Sequence, residues 1–270
     1  MVNTPKPFDL GNERHVDVYD ELPLWSALAG QLLLDHVPLR AGSVLDLGCG
    51  TGFPLLELAE RLGRGATVIG LDPWHEGLRR VHRKREAWSV TGVEVVRGDG
   101  AAMPFRESWF DLVVSNLGVN NFDDVTAALA ECRRVAKPGG TLALTSNLQG
   151  HMRELYAAFE DALAGDDPAL ARLRRHVEHR ATVESLSARL EAAGFHVAVV
   201  REREVTMRFA NATALFEHHF IRLGFRPAWE NVAGSLERLA RLRAELDRVA
   251  DAAGALRLSV PLAYIEARRD

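Results

Sequence analysis

The sequence predicts an α/β protein built on a doubly wound, mostly parallel sheet, and three observations carry that prediction. The first is the short apolar run at residues 43–47, which empties into Gly48, Gly50 and Gly52 and then into helical spacing at Leu55, Leu56, Leu58 and Ala59. A strand that turns directly into a helix leaves free N–H groups and a positive dipole end at the turn, a setting that favours an anion. The second is that strand-like and helix-like stretches alternate until five strands have been counted, the pattern of a parallel sheet with right-handed crossovers. The third is an acid at or near the end of each of the first three strands, Asp46, Asp72 and Asp99. Doubly wound sheets bind ligands outside the carboxyl ends of their strands, so these acids fall where a ligand belongs.

Composition narrows the class. A chain of 270 residues, 47% hydrophobic and 26% charged, is long enough for one large domain with insertions. A formal net charge of -4 argues against a nucleic-acid partner, which would need a clustered basic surface. The local basic run formed by Arg79, Arg80, Arg83, Lys84 and Arg85 reads as a solvated helix face. Only two cysteines occur, Cys49 and Cys132, too few for a disulfide framework or a thiolate metal site, so no metal is expected. There is no apolar stretch of membrane-spanning length and no signal-peptide core, which makes cytoplasmic residence without membrane insertion the expectation.

Taken in order, residues 1–14 lack periodicity and read as a mobile arm. Trp25, Leu28, Ala29, Leu32 and Leu33 then recur at helical spacing, so residues 1–40 form an arm and a cap helix ahead of the first strand. Tyr19 and Trp25 are either core anchors or an aromatic surface for a cation or a planar acceptor. The triplet Gly48, Gly50, Gly52 closes one residue earlier than a dinucleotide fingerprint requires. The second strand, 66–71, ends at Asp72, whose carboxylate can accept two ribose hydroxyls side by side; helix capping ahead of Pro73 is compatible with that role. Trp74 is placed to stack near an adenine. A helix over 75–89 and a strand at 93–96 lead to Asp99, Gly100 and Ala101, which suit the edge of an adenine ring. The fourth strand, 110–114, has Asn116 and Leu117 at its tip, facing the ligand. Asn120 and Asn121 serve the following turn.

Phe122, Val125, Leu129, Cys132 and Val135 trace one helical face, making Cys132 a small core hydrophobe. The fifth strand is expected at 141–146. Residues 149–179 are helical, 183–193 form a helix ending at Gly194, and 196–209 alternate as a long strand. Residues 211–252 insert more helix, with an apolar stripe at Trp229, Val232, Leu236, Leu239, Leu242, Leu246 and Val249. That stripe suits either a dimer seam or a lid, and the lid is preferred. The last strand, 256–268, contains Pro261, which cannot donate to a ladder, so a bulge is expected there.

Motif by motif, residues 44–148 resemble class I S-adenosylmethionine-dependent methyltransferases. The resemblance rests on Asp46 followed by Gly48, Cys49, Gly50, Thr51 and Gly52; on Gly70, Asp72 and Pro73; on Gly98 to Gly100; on Phe110 to Val113; and on Arg134 to Gly140. The style is similar to the small-molecule branch that includes quinone and sterol methyltransferases. This resemblance implies a seven-stranded sheet of order 3-2-1-4-5-7-6 with the last strand antiparallel, and one methyltransferase domain over 1–270 with helical lids at 149–180 and 211–252. It implies S-adenosylmethionine as donor and S-adenosylhomocysteine as product, the methionine end resting on the Gly48 to Gly52 backbone, Cys49 included, and the ribose on Asp72.

Departures narrow the acceptor. The fourth strand tip has neither the prolines of amino-methylating enzymes nor the aspartate of metal-dependent catechol enzymes, which leaves a small organic acceptor methylated at carbon or oxygen. Candidates for a general base are His218 and His219, two neighbours on a predicted helix, with Tyr19, His15 and His151 behind them; Trp25, His151 and Phe216 are the expected acceptor-pocket residues. Two competing readings are a non-catalytic donor-binding module and a nicotinamide oxidoreductase, the latter disfavoured by the glycine spacing. The chain is expected to be a monomer or a homodimer.

Overall fold

The computed structural model describes residues 9–21, 24–40, 42–178 and 180–270, with the Leu24 side chain excepted. In chain order its elements are α1 (Glu13–Glu21), α2 (Leu24–His36), β1 (Ser43–Leu47), α3 (Leu55–Leu62), β2 (Thr67–Asp72), α4 (His75–Trp88), β3 (Val93–Arg97), β4 (Phe110–Asn116), α5 (Val125–Val135) and β5 (Ala136–Asn147). There follow α6 (Arg153–Ala162), α7 (Asp167–Glu178), α8 (Val183–Ala192), β6 (Phe195–Phe209), α9 (Ala212–Glu217), α10 (His219–Gly224), α11 (Arg226–Ala233), α12 (Leu236–Ala253) and β7 (Leu256–Arg269). The seven strands form one sheet in the order β3-β2-β1-β4-β5-β7-β6, the order expected.

Apolar content sets the order from the centre outward. Leu45 of β1, Val113 of β4 and Leu142 of β5 are essentially inaccessible, the near-continuous burial of a sheet covered on both faces. β1 pairs in parallel with β2 and β4, which seats Asp46 between Gly70 and Val114 at the middle of the sheet. Gly70 is required there: a Cβ would come within 2.7 Å of Cys49 Sγ and 2.8 Å of Leu55 Cδ2.

The chain divides into two compact units. The sheet unit holds 9–147, 182–203 and 262–270. Its helix ends are well specified: Asp124 caps α5 by accepting from the Ala127 N–H at 2.9 Å, and Thr182 with Ser185 forms a reciprocal capping box on α8. The helical unit holds 148–181 and 204–261 among the described residues. Its core is Trp229, fully buried, with the rings of Phe216 and Phe225 each 5.7 Å away.

Several expectations are corrected. The arm does not extend to residue 14, because α1 begins at Glu13, where Asn12 receives the Arg14 and Val16 N–H groups; residues 1–8 lie outside the description. Residues 211–252 are four helices, and the apolar stripe breaks where Gly234 takes a left-handed conformation and Ser235 caps α12. Leu236, assigned to the stripe, is 85% exposed.

On its β5 side, β7 pairs without a register shift from Leu262 to Arg268, and Pro261 stands one residue beyond that ladder, where its carbonyl accepts from the Leu148 N–H at 2.9 Å. An irregularity lies between β4 and β5, where the register shifts between Phe110 and Leu112 as β5 starts at Ala136, earlier than expected.

Candidate functional site

The glycine loop follows from the sheet. Gly48 donates to the Leu71 carbonyl at 2.8 Å, tying the loop to the end of β2, and Gly52 closes a turn on the Cys49 carbonyl, also at 2.8 Å. Gly48, Gly50 and Gly52 all have positive φ, a region that side chains rarely adopt. At Gly50 a Cβ would meet nothing within 4 Å, so the loop presents bare backbone to open space. Cys49 turns its thiol inward against Gly70; burial first, then Asp46 and Asp72, push that thiol well above its ordinary range. Burial likewise takes Cys132 up to about 12, so neither thiol is a nucleophile at neutral pH.

Two acids stand behind this loop in different states of satisfaction. Asp72 is engaged, one oxygen accepting from Gly50 N–H and the other from Trp74 N–H, each at 2.8 Å. Burial still raises its pKa, with those two bonds working against the rise. Asp46 is fully buried, and neither carboxylate oxygen has a hydrogen-bond partner among the described residues. Burial, reinforced by the charge of Asp72, pushes its pKa up to about 8; the field of the Leu55 amide opposes this without a hydrogen bond being made. A buried, unsatisfied carboxylate is costly and calls for a cation or donor to meet it.

The remaining expected donor contacts spread along the strand ends. Pro73 is exposed and Trp74 half-buried; the Trp74 indole donates to the Leu10 carbonyl at 2.9 Å and meets the Tyr19 ring edge-on at 5.7 Å. Asp99 is exposed and accepts from the Ala101 N–H at 2.9 Å, which fixes Gly100 and Ala101 in a tight turn. Asn116 differs from expectation, because its amide is already committed: it donates to the Ser26 carbonyl of α2 at 3.1 Å and accepts from the Thr145 hydroxyl at 2.8 Å. Leu117 beside it is buried and left-handed, with φ at 62°. Trp25, on α2, is half-buried.

The basic run on α4 is not a solvated face. Arg80 and Lys84 both bind Asp20 at 2.8 Å, and Arg83 binds Asp17 at 2.6 Å and also Glu13, so α4 receives the acidic side of α1. Burial works against the Asp20 charge, yet hydrogen bonds from Lys84, Arg80 and the Thr51 hydroxyl of the glycine loop win and hold its pKa below the ordinary value. Lys84 is less well served; burial lowers its pKa, since it has one acid and a neighbouring Arg80. The replacement Asp20→Ala is expected to cost about 3–5 kcal/mol, because it leaves a buried ammonium without its carboxylate. Urea denaturation would read the loss, and hydrogen exchange should show α1 amides losing protection before those of the sheet.

Tyr19 lies on α1, and burial, then Asp20 and Asp72, raise its pKa. Its phenol therefore stays protonated, which suits a hydrogen-bond donor and not a base.

The other expected site residues belong to the helical unit. His218 and His219 are not neighbours on one helix, because His218 is the extended joint between α9 and α10. The kink brings both rings to the same side, their centroids 4.4 Å apart. Burial and then His219 lower the His218 pKa, and its Nδ1 has no hydrogen-bond partner among the described residues. Phe216 is packed into the core, its ring against Trp229 and beneath the Arg243 guanidinium at 4.5 Å. His151 is buried with its ring 5.4 Å from Phe225, so these two expected pocket residues are joined through the Phe225–Trp229 contact.

Residues 45–144 match the family described as "Methyltransferase domain". A nocamycin O-methyltransferase of Saccharothrix syringae is 32% identical over 252 residues, covering 87% of this chain and 89% of that one. The chain belongs to the class I S-adenosylmethionine-dependent methyltransferases. A demethylmenaquinone methyltransferase of Thermus thermophilus is 34% identical over 184 residues, 64% of this chain and 81% of its own. The fold is shared with the Bacillus subtilis YcgJ protein, at a TM-score of 0.60 and 17% identity, covering 90% of this chain and 98% of that one.

For a class I methyltransferase the residues present fit the donor. S-adenosylmethionine carries an ammonium and a sulfonium, and the site offers a partnerless buried acid beside a second acid. Its methionine end needs close approach to backbone, and Gly50 leaves open space for it, with no atom within 4 Å of a Cβ position, while the Gly50 N–H itself is given to Asp72. Sequence reasoning on this methyltransferase missed Asp20, Thr51 and Thr145. The acids Glu13, Asp17 and Asp20 share one helical face by their spacing, and the complementary Arg80, Arg83 and Lys84 were the available signal.

Proposed function

We propose that this methyltransferase transfers the methyl group of S-adenosylmethionine to a small organic acceptor, at oxygen or carbon. The observation that carries the residue assignments is the buried Asp46 carboxylate without a partner behind an open glycine loop. In this reading Asp46 meets the donor ammonium and the Gly48, Cys49, Gly50 and Gly52 backbone cradles its carboxylate. Asp72, with spare lone pairs on both oxygens, takes the ribose hydroxyls, and Pro73, Trp74, Asp99, Gly100 and Ala101 border the adenine. Asn116 acts through the bonds that lock α2 to the β4 and β5 ends, with Leu117 as wall.

The donor supplies an already activated methyl group, so the chain's own residues have alignment and exclusion of water as their main tasks. His218, held neutral by burial and by His219, is the best placed proton acceptor by its chemistry. Tyr19 and Trp25 offer aromatic walls, and the helical unit, with His151 and Phe216, serves acceptor recognition as the lid insertions at 149–180 and 211–252 of a single functional domain. The relatives' names support this class of acceptor: one states O-methylation and another a demethylated menaquinone. The net charge of -4 speaks for a small molecule over a nucleic acid. Two free, buried cysteines are in keeping with a reducing, cytoplasmic setting. No helix among the described residues is long and apolar enough to cross a membrane. Monomer and homodimer both remain compatible with this chemistry.

The test is incubation with trideuteromethyl-labelled S-adenosylmethionine and a panel of small phenols, quinols and carboxylic acids, read by mass spectrometry. A product heavier by one labelled methyl group is expected from at least one class. Donor that binds and is never consumed would move the protein to a donor-binding module without chemistry.

A further inference from the structure

The sheet unit has a small cavity at the amino end of its parallel strands, the end opposite the glycine loop. One wall is an irregularity of the sheet: β4 and β5 pair at Phe110 with Ala136 and again at Leu112 with Thr141, so residues 137–140 of β5 bulge out opposite the single residue Asp111. The cavity holds about 230 Å³ and is lined by Arg40 from the α2–β1 connection, by Asp111, by Lys137 and Gly139 of the bulge, by Thr141, and by Arg268 of β7. All of these residues belong to the sheet unit. Thr141 and Arg268 stand directly opposite one another in the antiparallel β5–β7 ladder, which puts the hydroxyl and the stem of the guanidinium on one face. At Gly139, with φ at 73°, a Cβ would meet nothing within 4 Å.

Three cations share this space with one acid, in a chain whose formal net charge is -4. The acid is already engaged: both Asp111 oxygens accept from the Lys137 ammonium at 2.8 Å, and one also accepts from the Ser43 N–H at 2.9 Å. Burial opposes the Asp111 charge, yet these bonds outweigh it and hold its pKa below the ordinary value. Two guanidiniums remain. Arg40 is exposed and makes no ion pair or hydrogen bond among the described residues, and the residues outside the description include no Asp or Glu. Arg268 reaches an acid only at 3.8 Å, and that acid, Glu266, accepts from the Tyr264 hydroxyl at 3.1 Å. A cleft lined by one sign of charge concentrates ions of the other sign.

Size and geometry then select the ligand. The volume lies below the about 300–1,000 Å³ of pockets for drug-sized molecules, so a small anion fits and a dinucleotide does not. A phosphomonoester presents three terminal oxygens, enough for two guanidinium forks and a hydroxyl, whereas a carboxylate presents two. We propose that this cavity is a binding site for a small phosphomonoester, held as its dianion by Arg40, Arg268 and the Thr141 hydroxyl, and separate from the site of S-adenosylmethionine. The Lys137–Asp111 pair shapes the bulge and adds no net charge, which leaves the two guanidiniums to match the two charges of the ligand.

The experiment titrates glycerol 3-phosphate, the dicarboxylate succinate and neutral glycerol by calorimetry into the full chain saturated with S-adenosylhomocysteine, at matched ionic strength. Filling the donor site first keeps the anion off the glycine loop. One-to-one binding of glycerol 3-phosphate is expected, with succinate about tenfold weaker or more and glycerol without effect. Arg40→Gln and Arg268→Gln should each weaken the ester about tenfold while binding S-adenosylhomocysteine as the parent does, which also shows that both variants are folded. Vesicles of phosphatidylcholine with and without phosphatidic acid separate the two sources of such a group. Co-sedimentation that needs both phosphatidic acid and Arg40 assigns a lipid headgroup, and binding of the soluble ester without co-sedimentation assigns a free molecule. The proposal is overturned if the ester does not bind, if it binds only when S-adenosylhomocysteine is absent, if succinate binds as tightly, or if both variants keep the parent affinity.

Discussion

Replacing Asp46 with asparagine is expected to raise the melting temperature of the ligand-free protein at pH 8 while weakening donor binding roughly tenfold to a hundredfold. Both effects have one cause. The Asp46 carboxyl is fully buried without a partner, and its pKa is raised to about 8 from an ordinary 3.8. The folded state therefore binds this proton more tightly than the unfolded chain does, and the group's favourable contribution is fully present below pH 3.8 and lost as the pH climbs to about 8. Across that window the loss is at most about 1.4 kcal/mol per pH unit. The amide of the Asp46→Asn variant does not titrate, so its chemical denaturation curves should lack this slope. A donor ammonium needs the ionised carboxylate, so binding near pH 7 should release close to one proton. Calorimetry in buffers of different ionisation enthalpy would detect the release in the parent protein and not in the variant. A stability that does not change between pH 4 and pH 8 would remove the unpartnered acid from the account.

Asp72→Ala is the second large effect, and its mechanism is different. Asp72 already holds the Gly50 and Trp74 N–H groups at 2.8 Å, so its removal loosens the glycine loop as well as deleting acceptors for the ribose. Two charge-assisted hydrogen bonds of about 1.5–3 kcal/mol each predict a loss of S-adenosylhomocysteine affinity of about a hundredfold or more. Adenosine separates the two contributions: if the ribose is held, its weaker binding should fall as well, whereas methionine affinity should respond only through the loop. Unchanged affinity for both fragments would end the ribose assignment for Asp72.

The sheet and the donor loop were legible in the sequence because both rest on local rules. A buried apolar strand, glycines at positive φ and an acid at a strand end leave a mark within ten residues of one another, and Gly48, Asp72 and Asp99 all fall where those rules put them. What the sequence concealed depended on partners far along the chain. Arg80 and Lys84 looked solvated because their acids lie about sixty residues earlier, on α1. Asn116 looked open because the Ser26 carbonyl and Thr145 hydroxyl that occupy it are remote in sequence. The β5 ladder ends one residue before Pro261, and where it ends is a property of pairing and not of the strand itself. The His218–His219 pair was misread for a local reason: a helical spacing rule was carried through the joint between α9 and α10.

The ion pairs between α1 and α4 bear on where this protein can be cut. The sheet begins at Ser43, and a truncation there would look harmless by the placement of strands. It would also take away Glu13, Asp17 and Asp20 and leave three cations of α4, one of them on a buried stem, without counter-charges. The segment from residue 13 onward is thus part of the folding unit, and the shortest stable fragment should be sought by trimming ahead of it.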